Sequence, residues 1–371
     1  METANIVIIG GGIVGLAVAS RISKNNESVY VFEKNKMLGQ DSSSHNSGVI
    51  HSGIHYPKGS LKASLSVRGN SMIYEICKKY GIQHKRLGKL TVANGDVEIK
   101  EIEKMMKTGE DNGIQGLKIL ERNEIKAMEQ NVEAEMALFT PTTGIVEPFE
   151  LLNFFYAQCK INGAIVATET EVTSLEKKEG GYEIRGVSAG EKFTVLAKTV
   201  INCAGLYSDR IAEMVGLDVD RLGYRLRYYK GDYFRVMGNA PVQMLIYPVP
   251  SGAGLGIHLT PDLSGSVRLG PNAYHVNRID YRVESKEQDF RESVRRFLPI
   301  IDKYSINEDS SGIRPKLAGS ESSFKDFIIK HESDNGFFGF IDLIGIESPG
   351  LTASPAIGDF VSELYENEIR T

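Results

Sequence analysis

The stretch Asn5-Ile6-Val7-Ile8-Ile9-Gly10-Gly11-Gly12-Ile13-Val14-Gly15 runs a short apolar segment straight into three glycines. Asn5 to Ile9 reads as a buried strand stopped by glycine. Ile13 to Lys24 reads as a helix and Ser28 to Glu33 as a second strand, which makes one βαβ unit of about 30 residues. Gly10 to Gly15 fits G-x-G-x-x-G and sits between strand and helix, where a dinucleotide fingerprint must sit. Gly10 permits the tight turn, Gly12 lets backbone approach a pyrophosphate, and Gly15 allows close helix–strand packing. The helix start then offers unpaired N–H groups to phosphates. Glu33 ends the second strand eighteen residues after Gly15. Its carboxylate can accept hydrogen bonds from a ribose diol and would repel a 2′-phosphate.

Just behind this unit lies Asp41-Ser-Ser-Ser-His45-Asn46-Ser47-Gly48-Val-Ile-His51-Ser52-Gly53-Ile-His55-Tyr56, which holds three of the chain's seven histidines. Small residues here let backbone approach a ligand, and histidines move protons near neutral pH. A nicotinamide enzyme normally continues with another α/β repeat at this point. The Ser43, Ser44, Asn46, Ser47, Gly48 run instead suits the pyrophosphate and ring edge of a flavin, so FAD is the expected cofactor.

The 371 residues suffice for a large core and two domains. Apolar content of 41% and charged content of 25% are those of a soluble globular protein. A net charge of −5 argues against nucleic acid as a partner, but not against a small anion that needs only local positive charge. Cys77, Cys159 and Cys203 are too far apart for a metal pair or disulfide framework, so buried reduced thiols, no metal and a cytoplasmic location are expected. Met1-Glu2-Thr3-Ala4 supplies no basic region, and the glycines break the apolar run, so no signal peptide is expected. No run is long enough to span a bilayer, which leaves peripheral membrane contact open.

Further along, Ser60 is expected to cap a helix running to Tyr80, and Lys89 to Ala93 to form a strand. Helices are expected over Asp96 to Asn112, Pro148 to Asn162, Ser285 to Phe297 and Ala353 to Glu368. Strand signals cover Ala164 to Ala167, Glu171 to Lys177, Tyr182 to Val187, Lys192 to Leu196 and Thr199 to Asn202, with a hairpin at Gly180-Gly181. A second β-rich region covers Tyr224 to Val236, Met244 to Val249, Gly256 to Thr260 and Ser266 to Leu269. The fold class expected is α/β, with α+β character in the second domain: a Rossmann-like FAD-binding domain (1–80, 145–215 and 310–371) interleaved with a β-rich substrate-binding domain (81–144 and 216–309).

The fingerprint and the segment Ser44-His-Asn-Ser-Gly-Val-Ile-His-Ser-Gly-Ile-His-Tyr56 resemble the flavoprotein L-2-hydroxyglutarate dehydrogenases and oxidases. These belong to the D-amino-acid-oxidase-like superfamily, with glycerol-3-phosphate oxidases and dehydrogenases as relatives. The resemblance continues through Thr199-Val-Ile-Asn-Cys-Ala-Gly205, Lys230-Gly-Asp-Tyr-Phe234, Gly254-Leu-Gly-Ile-His258, Leu269-Gly-Pro-Asn272, Gly312-Ile-Arg-Pro315 and Ser348-Pro-Gly-Leu-Thr352. It implies an FAD seat made by Gly10, Gly12, Gly15, Glu33, Lys34, Ser43, His45, Asn46, Ser47, Gly48, Val172, Ala204, Gly205, Gly312, Gly350, Leu351 and Thr352. Within it, Val172 would lie beside the adenine through its backbone, and Gly350 to Thr352 at the flavin's N1–C2=O edge.

Oxidising a 2-hydroxy acid needs a hydride acceptor, a base for the hydroxyl proton and a cation for the carboxylate. By the family's pattern His51 is the base; His45 helps to seat the cofactor, and His55 fits either role. On an alternating strand His258 would share a face with Gly256 and Thr260, opposite Leu255, Ile257 and Leu259, as a pocket wall would. It is a second proton carrier or a carboxylate ligand. Arg314, fixed between Gly312 and Pro315, can grip a carboxylate through two parallel hydrogen bonds. Lys230, Tyr233 and Arg227 are weaker candidates for a distal carboxylate, and Asn272 for the pocket wall. His84, His275 and His331 are expected to be surface or packing residues.

The expected activity is FAD-dependent oxidation of L-2-hydroxyglutarate, or a close 2-hydroxy acid, by hydride transfer to flavin N5. Glycerol-3-phosphate oxidation and amino-acid or amine oxidation are the alternatives, and a non-catalytic flavoprotein is the alternative of another class. Oxygen, a quinone and a carrier protein all stay open as electron acceptor.

Overall fold

The computed structural model describes residues 2–250, 256–319 and 323–370. The chain forms two compact units. The first comprises residues 1–44, 148–227 and 314–371, and the second 45–147 and 228–313. Residues 45–80, expected with the fingerprint, thus fall in the second unit. There the Val49–Ile50 strand pairs with Gly144–Val146, and Asn70 on the Leu61–Tyr80 helix bonds the Thr142 carbonyl.

The first unit is built on a mixed sheet with a parallel centre. Glu2–Ile9 lies between Val29–Phe32 and Glu191–Asn202, with Ile165–Ala167 beyond the former and Phe340–Ile344 beside the latter. Strands covered on both faces must be apolar throughout. Accordingly Ile6, Val7, Ile8, Val31, Val200, Ile201, Phe340 and Ile341 are fully buried. The expected strands at Lys192 and Thr199 are one continuous strand. Its first part pairs antiparallel with Gly181–Ser188, while Val200 to Asn202 pair parallel with Phe340 to Asp342 along the same edge.

The first helix, Ile13–Ile22, packs against the terminal helix, Gly350–Glu368, at a close crossing. A Cβ on Gly358 would stand 2.7 Å from the Ala17 carbonyl oxygen. The terminal helix begins at Gly350, three residues before its expected start at Ala353, and carries Pro355 within its second turn.

In the second unit the main sheet runs Tyr274–Val276, Leu226–Val236, Val267–Leu269, Leu259–Pro261, Leu245–Pro248, Lys89–Ala93, Met136–Thr140 and Lys118–Glu121. Its pairings are antiparallel except that of Leu245–Pro248 with Lys89–Ala93. The core gathers Leu90, Val92, Phe234, Ile246, Leu259, Phe290 and Val294. Ser60 caps the Leu61–Tyr80 helix by accepting from the Ala63 N–H, and Gly81 ends it in the left-handed region at φ 71°.

Candidate functional site

In the first unit the glycine fingerprint has a separate physical reason at each position. Gly10 has φ 113°, and a Cβ there would meet the Cys203 carbonyl oxygen at 2.3 Å. A Cβ on Gly15 would meet the Gly10 carbonyl oxygen at 2.0 Å. Gly12 differs: its φ is −77°, and the nearest atom to an added Cβ is Ser43 Oγ at 3.1 Å. The backbone angle at position 12 is one any residue adopts, and an added Cβ would need only the Ser43 hydroxyl to give by a few tenths of an ångström.

Gly12 caps the first helix without a side-chain bond, although Ser43 Oγ accepts from the Ile13 N–H at 3.0 Å. Pro349 opens the nineteen-residue terminal helix, again with no side-chain bond at the cap. A helix start favours anionic or electron-rich groups through its dipole. Glu33 is buried, and its two carboxylate oxygens accept from the Gly11 and Asn35 N–H groups, each at 2.8 Å. Burial pushes its carboxyl upward, and these two bonds oppose the push. Lys34 places Nζ 3.9 Å from the centre of the Tyr207 ring and 3.5 Å from Asp41.

Ala204 donates its N–H to Asn202 Oδ1 at 3.2 Å, and Gly205 follows with φ 54° and open space where a Cβ would stand. Val172 lies at a register shift in the Thr170–Lys178 strand. The bare backbone at Gly12, the open space at Gly205, the buried acid at the strand end and the two helix starts together suit an FAD-sized dinucleotide.

The second unit holds the histidines. His45 stacks on Tyr281 with ring centroids 3.7 Å apart, and a Cβ on Gly312 would meet the His45 carbonyl oxygen at 2.4 Å. Asn46 Oδ1 accepts from the Gly48 N–H at 2.8 Å, while Gly48 sits at φ 66°. Ser47, half-buried, completes that turn. His51 is fixed through its backbone, since Asn70 Nδ2 donates to its carbonyl at 2.9 Å. Asn112 Nδ2 donates to the Gly53 and Tyr56 carbonyls at 3.2 and 2.9 Å. The 51–56 loop is therefore pinned at several points, so its side chains are presented by a rigid frame.

His55 meets a residue that the sequence does not advertise. Lys89 Nζ lies 2.9 Å from His55 Nε2, although Lys89 is only 1% exposed. Burial pulls the Lys89 ammonium down to about 7. Burial, then the charges of Lys89, His51 and His258, holds His55 well below the usual imidazole range. Lys89 also lies 4.9 Å from the centre of the Tyr247 ring, and Tyr247 stacks on His258 with centroids 3.8 Å apart. Parallel pairing of the Lys89–Ala93 and Leu245–Pro248 strands sets Lys89 opposite Leu245 and Thr91 opposite Tyr247, so Lys89 and Tyr247 are diagonal neighbours on one face. The structure thus brings His51, His55, His258, Lys89 and Tyr247 together, a set of bases with one aromatic wall.

His258 precedes its strand, which begins at Leu259 and not at Gly256 as expected; Gly256 sits at φ 73°, outside strand geometry. Gly254 and Leu255 lie outside the described residues. Facing is therefore set by the turn: His258 Nδ1 donates to the Gly256 carbonyl at 2.9 Å, so the neutral ring carries its lone pair on Nε2.

Lys230 is 1% exposed, 3.7 Å from Glu284, with no hydrogen-bond acceptor among the described residues. Tyr233 is buried. Asn272 is committed to the frame: its Oδ1 accepts from the Asp232 N–H at 2.9 Å and its Nδ2 donates to Ser285 Oγ at 2.8 Å. Arg314 belongs to the first unit, half-buried on the Ile306–Leu317 strand between buried Ile313 and Pro315. Arg227 is exposed. His84 bonds the Ile82 carbonyl, His275 is exposed, and His331 is buried between the Gly339 N–H and Glu368.

Among the described residues no cluster of three or more His, Cys, Asp or Glu is arranged to hold a metal. The three cysteines are buried and outside any disulfide, and burial pushes the Cys159 thiol up to about 12. No helix of the described residues is long and apolar enough to cross a membrane.

The family model "FAD dependent oxidoreductase" matches residues 5–364. An L-2-hydroxyglutarate dehydrogenase, mitochondrial, of Arabidopsis thaliana is 33% identical, over 98% of this chain and 84% of its own. A glycerol 3-phosphate dehydrogenase of Caloramator mitchellensis is also 33% identical, over 98% and 74%. Among solved structures, the FAD-bound, dithionite-reduced L-alpha-glycerophosphate oxidase of Mycoplasma pneumoniae superposes with a TM-score of 0.84. It is 25% identical, with 98% of this chain and 94% of that chain covered.

Proposed function

Because the chain belongs to the FAD dependent oxidoreductase family, we propose that it oxidises L-2-hydroxyglutarate, or a close 2-hydroxy acid, to the 2-oxo acid. The observation that carries this reading is the group of bases in the second unit, joined by no carboxylate among the charges acting on His55 and Lys89. Such a group suits a substrate that arrives as an anion and gives up a proton. The Arabidopsis relative is named for the same chemistry.

FAD, when bound, supplies the acceptor for the substrate's α-hydrogen and its electron pair. Its seat in the first unit is proposed as the glycine fingerprint with Glu33, Lys34, Ser43, Val172, Ala204, Gly205 and the Gly350 to Thr352 turn. The second unit's own proposed cofactor contacts are His45 to Gly48 and Gly312. His51 takes the hydroxyl proton, on a backbone already fixed by Asn70. His258, with Nδ1 tied to Gly256, holds or returns a proton through Nε2. Arg314 grips the carboxylate next to the reacting carbon. Lys230 and Tyr233 are the further substrate contacts proposed.

The Caloramator relative and the Mycoplasma structure support a second reading, oxidation of glycerol 3-phosphate. The buried thiols, outside any disulfide, suit a reducing compartment, and the cytoplasm is the one proposed. The electron acceptor is oxygen, a quinone or a carrier protein. One experiment tests the substrate. Under anaerobic conditions the yellow protein is mixed with L-2-hydroxyglutarate, its D-enantiomer, glycerol 3-phosphate and sarcosine in turn, and flavin absorbance is followed. Fast bleaching by the L-hydroxy acid alone is expected; bleaching by glycerol 3-phosphate in its place overturns the reading.

A further inference from the structure

Lys89 and His55 pose a problem that the proposed proton transfer does not use. Two nitrogen bases stand 2.9 Å apart, one at the start of the Lys89–Ala93 strand and the other on the 51–56 loop. A lysine 1% exposed would ordinarily be paired with a carboxylate. Here its hydrogen-bond partner is an imidazole. The charged groups acting on His55 are Lys89, His51 and His258, and burial alone acts on Lys89. Tyr247 supplies the remaining wall, with its ring centre 4.9 Å from Nζ. Among the described residues, the charged groups acting on this pair are all bases, so an anion is the partner that would complement it.

We propose that Lys89 and His55 form the seat for the second carboxylate of a dicarboxylic hydroxy acid, and that the pair takes up a proton from solvent as that carboxylate binds. Before binding and above about pH 7, where burial leaves the Lys89 amine neutral, that amine donates one N–H to His55 Nε2. An arriving carboxylate reverses the balance. The ammonium form now has a charge-assisted acceptor, while the amine–imidazole bond keeps the cation in place. A mono-carboxylate leaves the seat empty of charge, so the pair discriminates by charge count as well as by length. This seat rests on the hydroxy-acid reading above.

The test compares anaerobic flavin reduction by L-2-hydroxyglutarate and by L-2-hydroxybutyrate in the wild type, Lys89→Met and His55→Gln. Lys89→Met keeps the length of the side chain in its apolar surroundings, and His55→Gln keeps an acceptor for the amine. The wild-type preference for the dicarboxylate in kcat/KM is expected to fall about 30-fold in Lys89→Met, the size of one lost charge-assisted hydrogen bond, and by a smaller factor in His55→Gln. The wild-type preference should also decline as pH rises above 7, because the seat must find its proton in a more alkaline solution, and Lys89→Met should flatten that decline. An equal loss for both substrates, or an unchanged preference with an unchanged pH profile, overturns the seat. A wild-type flavin that L-2-hydroxyglutarate does not reduce overturns the functional reading itself, and the seat with it.

Discussion

Tyr247 lies flat against His258, with ring planes 17° from parallel and centroids 3.8 Å apart. The stack fixes the imidazole plane, and the Nδ1 bond to Gly256 fixes its rotation and its tautomer. His258 therefore points its basic nitrogen in one direction. Tyr247→Phe preserves the ring and should keep most of the rate of flavin reduction. Tyr247→Leu removes the stack and frees the imidazole to tilt, which should lower kcat by about tenfold, within the range for a displaced acid–base group. Stopped-flow reduction of the bound flavin checks this, with thermal unfolding run alongside because Tyr247 is 1% exposed. Equal rates for the two variants would remove the positioning role.

The fingerprint glycines should separate into two kinds of failure. At Gly15 a Cβ collides with backbone at 2.0 Å, so Gly15→Ala should destabilise the apoprotein itself, by about 1–3 kcal/mol as strained, overpacked sites do. At Gly12 the backbone already has a φ that alanine accepts, and the nearest atom is a serine hydroxyl at 3.1 Å. Gly12→Ala should fold with nearly wild-type stability and lose FAD affinity by tenfold or more. Urea unfolding of the apoproteins and fluorescence titration with FAD measure the two effects independently. A Gly12→Ala protein that binds FAD normally would move the pyrophosphate elsewhere.

What the sequence discloses follows from how local each constraint is. The Gly10 to Gly15 turn, the Ser60 cap and the Lys89 to Ala93 strand are dictated within a few residues, and they stand where the spacing places them. The Ile306–Leu317 strand is not marked in the sequence, because Asn307, Glu308, Asp309 and Ser310 hide its apolar half. Phe340–Ile344 carries Asp342 at its centre, which reads as a turn until Asn202 on the neighbouring strand is seen to donate to that carboxylate at 2.7 Å. Lys89 and Tyr247 are the functional positions the sequence conceals. A lysine opening an apolar strand reads as a solvent edge, and only the parallel pairing with Leu245–Pro248 buries it beside His55 and Tyr247. The signal the sequence does carry is that Leu90 and Val92 on one face and Ala93 on the other are apolar, as in a strand buried on both faces.

His51 should behave as a base and not as part of the cofactor seat. Its backbone is anchored by Asn70, so truncating the side chain leaves the loop in place. His51→Ala is expected to purify yellow with FAD bound, to be reduced normally by dithionite, and to lose about 10²–10⁴-fold in reduction by substrate. Loss of FAD with the side chain would make His51 a cofactor ligand, and unchanged substrate reduction would remove it from the chemistry.

Lys89 also links stability to pH, and the sign is fixed by which state holds the proton. In the unfolded chain its amine binds a proton up to about pH 10.4, whereas in the folded protein burial lowers that limit to about 7. Between these limits the unfolded state binds more protons, so folding stability must rise with pH across the window. Below pH 7 both states are protonated and the contribution is constant at its most unfavourable. Replacing the amine by methionine removes the penalty. Lys89→Met should thus be more stable than the wild type near pH 7, and the gap should narrow by up to about 1.4 kcal/mol per pH unit as pH increases. Urea unfolding of both proteins at pH 7, 8 and 9 measures the slope. A gap that stays constant with pH would show that Lys89 keeps its charge when buried, and the neutral amine–imidazole pair would then be the wrong description of the empty seat.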